Sequence, residues 1–130
     1  MEDESLAISS GITFIGIKTD QFTSMVDLFE RVLGLAKTRS ESGFVAFRTS
    51  TGQRVEVFDT SYGGKTHFTT GPVPGFEVSD FDQAVAWLDQ SGLEILEPAY
   101  TSSSGTRWVH FRAYDGNVYE FVYHPDLQED

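Results

Sequence analysis

The sequence contains no cysteine and few basic residues, and both shortages exclude classes of protein. Without cysteine the chain has no disulfide framework, no thiol nucleophile and no thiolate metal site. Its 9 lysines and arginines stand against 20 aspartates and glutamates, which gives a net charge of −11. A nucleic-acid-binding surface needs clustered lysine and arginine, and the sequence shows no such cluster. The same charge disfavours anionic membranes and favours cationic ligands.

Long apolar segments are missing as well. No stretch approaches the roughly 18 apolar residues of a membrane helix, and Met1–Ser5 is acidic where a secretory signal is basic and then apolar. We therefore expect a cytoplasmic protein with no membrane partner. The remaining composition is that of a folded domain, because 39% of the 130 residues are hydrophobic and the chain is long enough for a core without metal or disulfides.

The first half of the chain alternates apolar segments with turn signals. Residues 12–17 predict a buried strand. Apolar residues recur at helical spacing between 22 and 33, with Asp20 as the expected N-cap and Gly34 as the end of the helix. A hairpin is predicted over residues 44–58, whose two apolar segments flank a turn.

The second half repeats this order of elements. Residues 73–78 predict a strand, and Ser79 or Asp80 is the expected N-cap of a helix that ends at Gly92. A capping-box spacing separates Asp80 from Gln83. The remaining predicted elements are a short strand at 93–96 and a hairpin over 108–122 that turns at Asp115–Gly116.

The two halves also match residue by residue. At an offset of 64, residues 44–56 overlay residues 108–120 with identical Val, Phe, Arg, Gly and Glu. At an offset of 59, the glycine of the first strand and the apolar residues of the first helix overlay their counterparts in the second half. We therefore interpret the chain as two β-α-β-β-β modules. The predicted boundaries are a flexible acidic tail at 1–10, one domain at 11–124 with modules at about 11–62 and 72–124, and a second tail at 125–130.

Three pairs of segments resemble the strands, helices and closing hairpin of the vicinal oxygen chelate superfamily, which contains glyoxalase I, the extradiol dioxygenases and the bleomycin-resistance proteins. They are residues 15–20 with 28–35, 76–80 with 84–88, and 115–117 with 119–121. The resemblance covers about residues 11–123 and is nearest to the small bleomycin-resistance members. It implies an α+β fold in which tandem βαβββ modules form a cup-shaped, half-open mixed β-sheet barrel with the helices outside. It also implies a homodimer.

The resemblance implies four metal-ligand positions in the cup, of which this sequence keeps two. Glu56 and Glu120 match the last-strand ligands, whereas Phe14 and Val73 stand where the first-strand ligands belong. Two carboxylates without neutral ligands suit iron, nickel or zinc poorly. We therefore expect no cofactor, with a divalent metal at Glu56 and Glu120 as the alternative.

Strand alternation places both carboxylates opposite their apolar neighbours, on the face that the resemblance makes the inside of the cup. Two carboxylates there would repel, so we expect a shared proton or a positive group between them: a metal, a protein cation or a cationic ligand. Four phenylalanines are assigned to the same face, where they either wall a pocket or fill it. The candidate ligand-binding residues are Phe14, Phe47, Glu56, Phe58, Val73, Phe111 and Glu120.

The three histidines give no firm catalytic residue. His110 alternates with Phe111 and is expected to point away from Glu120, unless the register of the hairpin slips by one residue. His67 in the linker and His124 before Pro125 are expected to be solvated, with His67 as an alternative substitute for the ligand missing at position 73.

These observations predict a small-molecule-binding protein of the glyoxalase, bleomycin-resistance and dioxygenase type that lacks the usual metal. Its ligand would be an aromatic or cationic organic molecule held in the cup. Two alternatives remain open. One is a divergent metal-dependent lyase, isomerase or dioxygenase-like enzyme that uses Glu56 and Glu120. The other is a non-catalytic interaction module whose cup is filled by its own side chains.

Overall fold

The computed structural model describes residues 8–63, 68 and 71–128. The chain forms two compact units, which we describe separately. The first unit is Thr13–Pro74, and the second unit is Gly75–Asp130 together with Met1–Ile12. None of the helices in the described part of the chain is long and apolar enough to cross a membrane.

The first unit is a four-stranded sheet with one helix. Strand β4 pairs in parallel with β1 and antiparallel with β3, and β3 pairs antiparallel with β2, so the order is β2-β3-β4-β1. Helix α1 continues directly into a π-helical turn. The bounds are β1 (Ser9–Thr19, of which Thr13 onward belongs to this unit), α1 (Phe22–Asp27), the π-helical turn (Leu28–Val32), β2 (Ala36–Glu41), β3 (Phe44–Arg48) and β4 (Arg54–Asp59).

The core of the first unit lies between the β3–β4 hairpin and the helix. Four buried strand residues pack against partly buried apolar residues of the helix, and the ring of Phe47 lies 5.9 Å from that of Phe29. The strand residues are Val45, Phe47, Val55 and Val57. Burial of these side chains is what holds the helix to the sheet, because α1 is only six residues long and too short to be stable in isolation.

The second unit is a sheet of the same kind. Strand β9 pairs in parallel with β5 and antiparallel with β8, which in turn pairs antiparallel with the short strands β6 and β7. The bounds are β5 (Val73–Val78, of which Gly75 onward belongs to this unit), α2 (Phe81–Gln90), β6 (Glu94–Ile95), β7 (Tyr100–Thr101), β8 (Arg107–Arg112), β9 (Val118–Tyr123) and a 3-10 turn (Pro125–Leu127).

Helix α2 covers one face of this second sheet. Its side chains Phe81, Ala84 and Leu88 are buried against Val109 and Phe111 of β8. The predicted capping of this helix is confirmed, because Asp80 Oδ1 accepts a hydrogen bond of 3.1 Å from the backbone N–H of Gln83.

The predicted α+β class and both predicted hairpins are confirmed, but two details of the first unit differ. The N-cap of α1 is Gln21 rather than Asp20, and no side chain caps it. Sequence analysis assigned no strand to Ala36–Glu41, which form β2. This strand is fully exposed and polar, so its sequence carries none of the apolar alternation that marks a half-buried strand.

The predicted orientation of Phe47 and Phe111 is wrong. Both rings pack on the helix side of their sheets. The reason is the length of the hairpin loops: Arg48 pairs with Arg54 and Arg112 with Val118, and each loop closes with a glycine at positive φ, Gly52 and Gly116. Backbone hydrogen bonds from Thr49 N to Gln53 O and from Ala113 N to Asn117 O continue the two ladders, which leaves three-residue loops at 50–52 and 114–116. Each loop therefore has one residue more than a two-residue turn, and one extra residue moves every side chain of the strand to the other face.

Candidate functional site

A buried histidine of the second unit lies beside Glu120, one of the two carboxylates that the resemblance assigns to metal-ligand positions. His110 on β8 and Glu120 on β9 are directly opposite each other in the antiparallel ladder, so their side chains share a face. The distance between His110 Nε2 and Glu120 Oε1 is 2.8 Å, and both side chains are almost completely buried. The expectation that His110 points away from Glu120 is therefore wrong, for the same reason as the orientation of Phe111.

A second carboxylate holds the other side of this imidazole. Glu97 Oε2 accepts the backbone N–H of His110 at 2.7 Å and lies 3.0 Å from His110 Nδ1. The backbone positions it, because Leu96 N donates to His110 O at 2.9 Å and so extends the pairing of β6 with β8. Sequence analysis did not identify Glu97. The carboxylate–imidazole–carboxylate group of Glu97, His110 and Glu120 is called the His110 triad below.

The charges of the triad favour an imidazolium. Burial lowers the pKa of His110, but hydrogen bonds and charges from Glu120 and Glu97 outweigh it, so the pKa is raised above its usual value. The expected positive group between Glu56 and Glu120 stays a prediction, because the imidazole of His110 lies between Glu97 and Glu120 and Glu56 belongs to the other unit. The arrangement holds a proton between two carboxylates and fixes the three side chains relative to one another.

A second buried glutamate–histidine pair lies in the same unit. Glu77 on β5 accepts the backbone N–H of His124 at 2.7 Å through Oε2, and its Oε1 lies 2.6 Å from His124 Nδ1. Gln128 adds a hydrogen bond of 2.7 Å from Nε2 to Glu77 Oε2. His124 is buried rather than solvated as predicted.

The predicted residues of the first unit lie mostly within a layer of rings. Glu56 shares its face of the sheet with Phe58, and its cross-strand neighbours are Ala46 and Gly16. The ring of Phe58 is 2% exposed because Phe44, Tyr62 and Phe68 surround it, with ring centroids 5.0, 5.1 and 6.1 Å away. Phe14 and Val73 are also buried. Of the predicted residues of this unit, Glu56 and Phe47 line a pocket.

This pocket has a volume of about 230 Å³ and lies on the sheet face opposite α1. We call it the arginine pocket, and its lining residues are Thr38, Arg39, Phe44, Ala46, Phe47, Arg48, Arg54 and Glu56. Strands β2, β3 and β4 all contribute. A bulge in β2 between Lys37 and Arg39 allows two consecutive residues, Thr38 and Arg39, to face the same pocket, which a regular strand does not permit.

The four positions that the resemblance assigns to a metal do not fit a divalent ion. Phe14 and Val73 offer no ligand atom, and Glu120 is held by His110. Within residues 8–63, 68 and 71–128, no group of three or more histidine, aspartate or glutamate side chains is arranged to bind a metal. Glu56 and Glu120 lie in different units, and the predicted shared cavity between them stays a prediction. His67 lies outside the described residues.

Comparison with known proteins identifies the fold. No family model and no curated protein sequence matches the chain. Solved structures do match, including methylmalonyl-CoA epimerase from Mycobacterium tuberculosis, with a TM-score of 0.69, 18% identity, and coverage of 94% of this chain and 93% of that one. A glyoxalase/bleomycin resistance protein/dioxygenase superfamily member from Vibrio splendidus 12B01 has a TM-score of 0.66, 14% identity, and coverage of 85% and 97%.

The Mn(II)-bound glyoxalase from Novosphingobium aromaticivorans is similar in the same way. Its TM-score is 0.71 at 13% identity, with coverage of 89% of this chain and 39% of that one. At such identities the likeness establishes the fold alone. The chain has the vicinal oxygen chelate fold, as the resemblance in its sequence indicated.

Proposed function

We propose that the protein binds a small organic molecule in the arginine pocket and uses no resident metal ion. The observation that carries this proposal is the pocket itself. It places Glu56, which matches a ligand position of the superfamily, next to other charged side chains and the ring of Phe44. A few charged groups beside an aromatic wall are typical of small-molecule sites. The methylmalonyl-CoA epimerase of this fold is named for its action on such a molecule.

The side chains available as metal ligands support the binding of a small molecule without a metal ion. An ion bound by Glu56 and Glu120 would have to replace the imidazole of His110, which is 2.8 Å from Glu120 and buried with it. Around Phe58 the aromatic rings fill the sheet face, as the alternative of a non-catalytic module with a filled cup requires. Beside Glu56 the face is open and forms a pocket, which that alternative does not explain.

Filling the arginine pocket tests the proposal. Ala46 lines the pocket from the middle of β3, so Ala46→Leu should occupy the space a ligand needs. Small molecules that raise the melting temperature of the wild-type protein should fail to do so in this variant. A ligand at about 100 times its dissociation constant adds roughly 2.7 kcal/mol of stability, which a thermal-shift screen detects.

The matched control is Ala99→Leu, the same change at an exposed residue that does not line the pocket. This variant should keep every ligand response of the wild type. If no small molecule stabilises the wild type, or if Ala46→Leu responds as the wild type does, the proposed site is wrong. Stoichiometric Mn, Ni, Zn or Fe in the purified protein that is lost in Glu56→Gln would instead establish the metal-dependent alternative.

A further inference from the structure

We propose that the peptide bond between Asp115 and Gly116 is an isomerisation site, which the folded loop between β8 and β9 protects through the side chain of Asn117. Asp115–Gly116 is the one aspartate–glycine pair in the sequence. The modified form is an isoaspartate, in which the main chain runs through the side-chain carbon of residue 115. This inference is independent of the arginine pocket, because the loop belongs to the other unit.

The reaction needs only the chain and water. The backbone nitrogen of Gly116 attacks the carboxyl carbon of Asp115 and closes a succinimide ring. One carboxyl oxygen leaves as water with the amide proton and a proton from solvent, so no oxidant or reductant takes part. Water then opens the ring at either carbonyl and gives aspartate or isoaspartate. Glycine favours the attack, because it has no side chain to crowd the nitrogen.

In the folded loop the attacking nitrogen is held in a turn. Gly116 N donates to Ala113 O at 3.0 Å, and Gly116 O accepts from Arg112 Nη1 at 3.0 Å. The φ of Gly116 is +87°, in the left-handed region. Attack on Asp115 requires this peptide to rotate out of the turn, so the loop must open before the ring can close.

The carboxylate is held as well, by Asn117. Asp115 Oδ1 accepts the backbone N–H of Asn117 at 3.0 Å, and Oδ2 accepts from Asn117 Nδ2 at 3.1 Å. The backbone bond, and after it the side-chain bond, lower the pKa of Asp115 and keep the group ionised. An ionised carboxylate resists attack, because its charge repels the nucleophile and its oxygen leaves as water only after protonation.

The corresponding loop of the first unit has the same geometry without the reactive group. Gly52 N donates to Thr49 O at 3.0 Å, as the glycine of the second loop does to its own turn. Thr51 takes the position of Asp115 and carries no carboxyl group. The turn is therefore a property of both hairpins, whereas the isomerisation site is particular to the second unit.

Isomerisation would reach the His110 triad through the register of the hairpin. Isoaspartate adds one carbon atom to the main chain of a three-residue loop. The length of such a loop fixes which residues of the two strands face each other. An isomerised chain should therefore lose the pairing of His110 with Glu120 and melt at a lower temperature.

Ageing of the full chain in the folded and the unfolded state tests the inference. Samples are kept at body temperature and neutral pH, in buffer or in guanidinium chloride. Isoaspartate at residue 115 is measured by peptide mass spectrometry with electron-transfer fragmentation. The folded wild type should form it about tenfold or more slowly than the unfolded chain, because its loop must open first. Equal rates in the two states, or no isoaspartate in the unfolded chain, would overturn the proposal.

Variants of the folded protein test the role of Asn117. Asn117→Ala removes the side-chain bond to Asp115 and should raise the rate about three- to tenfold, the range for one hydrogen bond. Asn117→Asp keeps the shape, replaces the donor by an acceptor and should raise the rate as well. Tyr114→Ala is the matched control in the same loop, because Tyr114 is 85% exposed, and it should isomerise at the wild-type rate.

The unfolded variants complete the test. In guanidinium chloride all four chains should isomerise equally, because the protection exists only in the folded loop. Wild-type rates in both folded Asn117 variants would show that Asn117 does not protect the site. An equal acceleration in Tyr114→Ala would have the same meaning. Aged wild-type protein that contains isoaspartate but melts like fresh protein would contradict the effect on the register of β8 and β9.

Discussion

At the scale of single residues, the His110 triad shows what alternation along a strand can and cannot predict. The alternation of side chains along β4 was predicted correctly: Glu56 and Phe58 lie on one face of the sheet, and Val55 and Val57 on the other. The faces assigned to the side chains of β8 were exchanged, because the assignment depends on the number of residues in the loop between Arg112 and Val118. A hairpin loop sets the register of both strands, and a one-residue error exchanges His110 with Phe111. Only the ladder shows which of the two faces Glu120.

The triad predicts a pH dependence of stability. The pKa of His110 is raised by its two carboxylates, so the folded protein holds this proton more tightly than the unfolded chain does. The stabilisation is complete below the unfolded pKa of about 6.5 and is lost as the pH rises through the folded value. The free energy of unfolding in urea should therefore decrease as the pH is raised from about 6.5, and His110→Asn should lack this decrease.

Nuclear magnetic resonance titration of the imidazole tests the same prediction without a folding experiment. The ring of His110 should titrate above about 6.5 in the wild type. Glu97→Gln removes one of the two carboxylates and should lower that pKa, while the more exposed position of Glu97 keeps the fold intact. A ring that titrates at or below about 6.5, unaffected by Glu97→Gln, would contradict the prediction.

At the scale of elements, a layer of aromatic rings covers the face of the first sheet opposite α1. The rings of Phe14 and Phe68 lie directly over Gly16 of β1. A Cβ at this position would stand 2.8 Å from Phe14 Cζ and 2.7 Å from Phe68 Cε2, closer than carbon atoms pack. Glycine is therefore required here by close approach and not by an unusual backbone angle.

Substitution of this glycine should be destabilising. Gly16→Ala forces two buried rings to move, which costs about 1–3 kcal/mol in a packed core. The midpoint of urea unfolding measures this loss. Gly63→Ala is the matched control, because a Cβ there meets nothing within 4 Å and should change the midpoint little. Equal midpoints for the two variants would show that the rings do not enclose Gly16.

The elements differ in how far sequence predicts them. Both ends of helix α2 were predicted from the sequence, because Asp80, Gln83 and Gly92 are local signals that act within a few residues. Strand β2 was missed, because Ala36–Glu41 is exposed throughout and owes its conformation to pairing with β3. The arginine pocket could not be predicted either. It depends on the bulge in β2, which brings Arg39 to the same side as Arg48 and Arg54.

At the scale of the whole molecule, the fold was predicted from the order and spacing of weak signals. No single segment is specific, and no family model matches the chain. The succession of strand, helix and hairpin, repeated with similar spacing, is a property of the whole sequence and survives when individual residues diverge. Function does not share this property. It depends on single positions, and at Phe14 and Val73 this chain departs from the metal-ligand pattern that the resemblance implies.

The net charge of −11 gives the last prediction at this scale. Charge far from zero destabilises a compact protein through self-repulsion, and dissolved salt screens that repulsion. The melting temperature at pH 7 should therefore rise by about 2–5 °C between roughly 10 and 300 mM potassium chloride. At pH 4.5, near the isoelectric point, the net charge is close to zero and the same change in salt should have little effect. An equal rise at both pH values would show that salt acts through local binding sites rather than through the charge of the molecule.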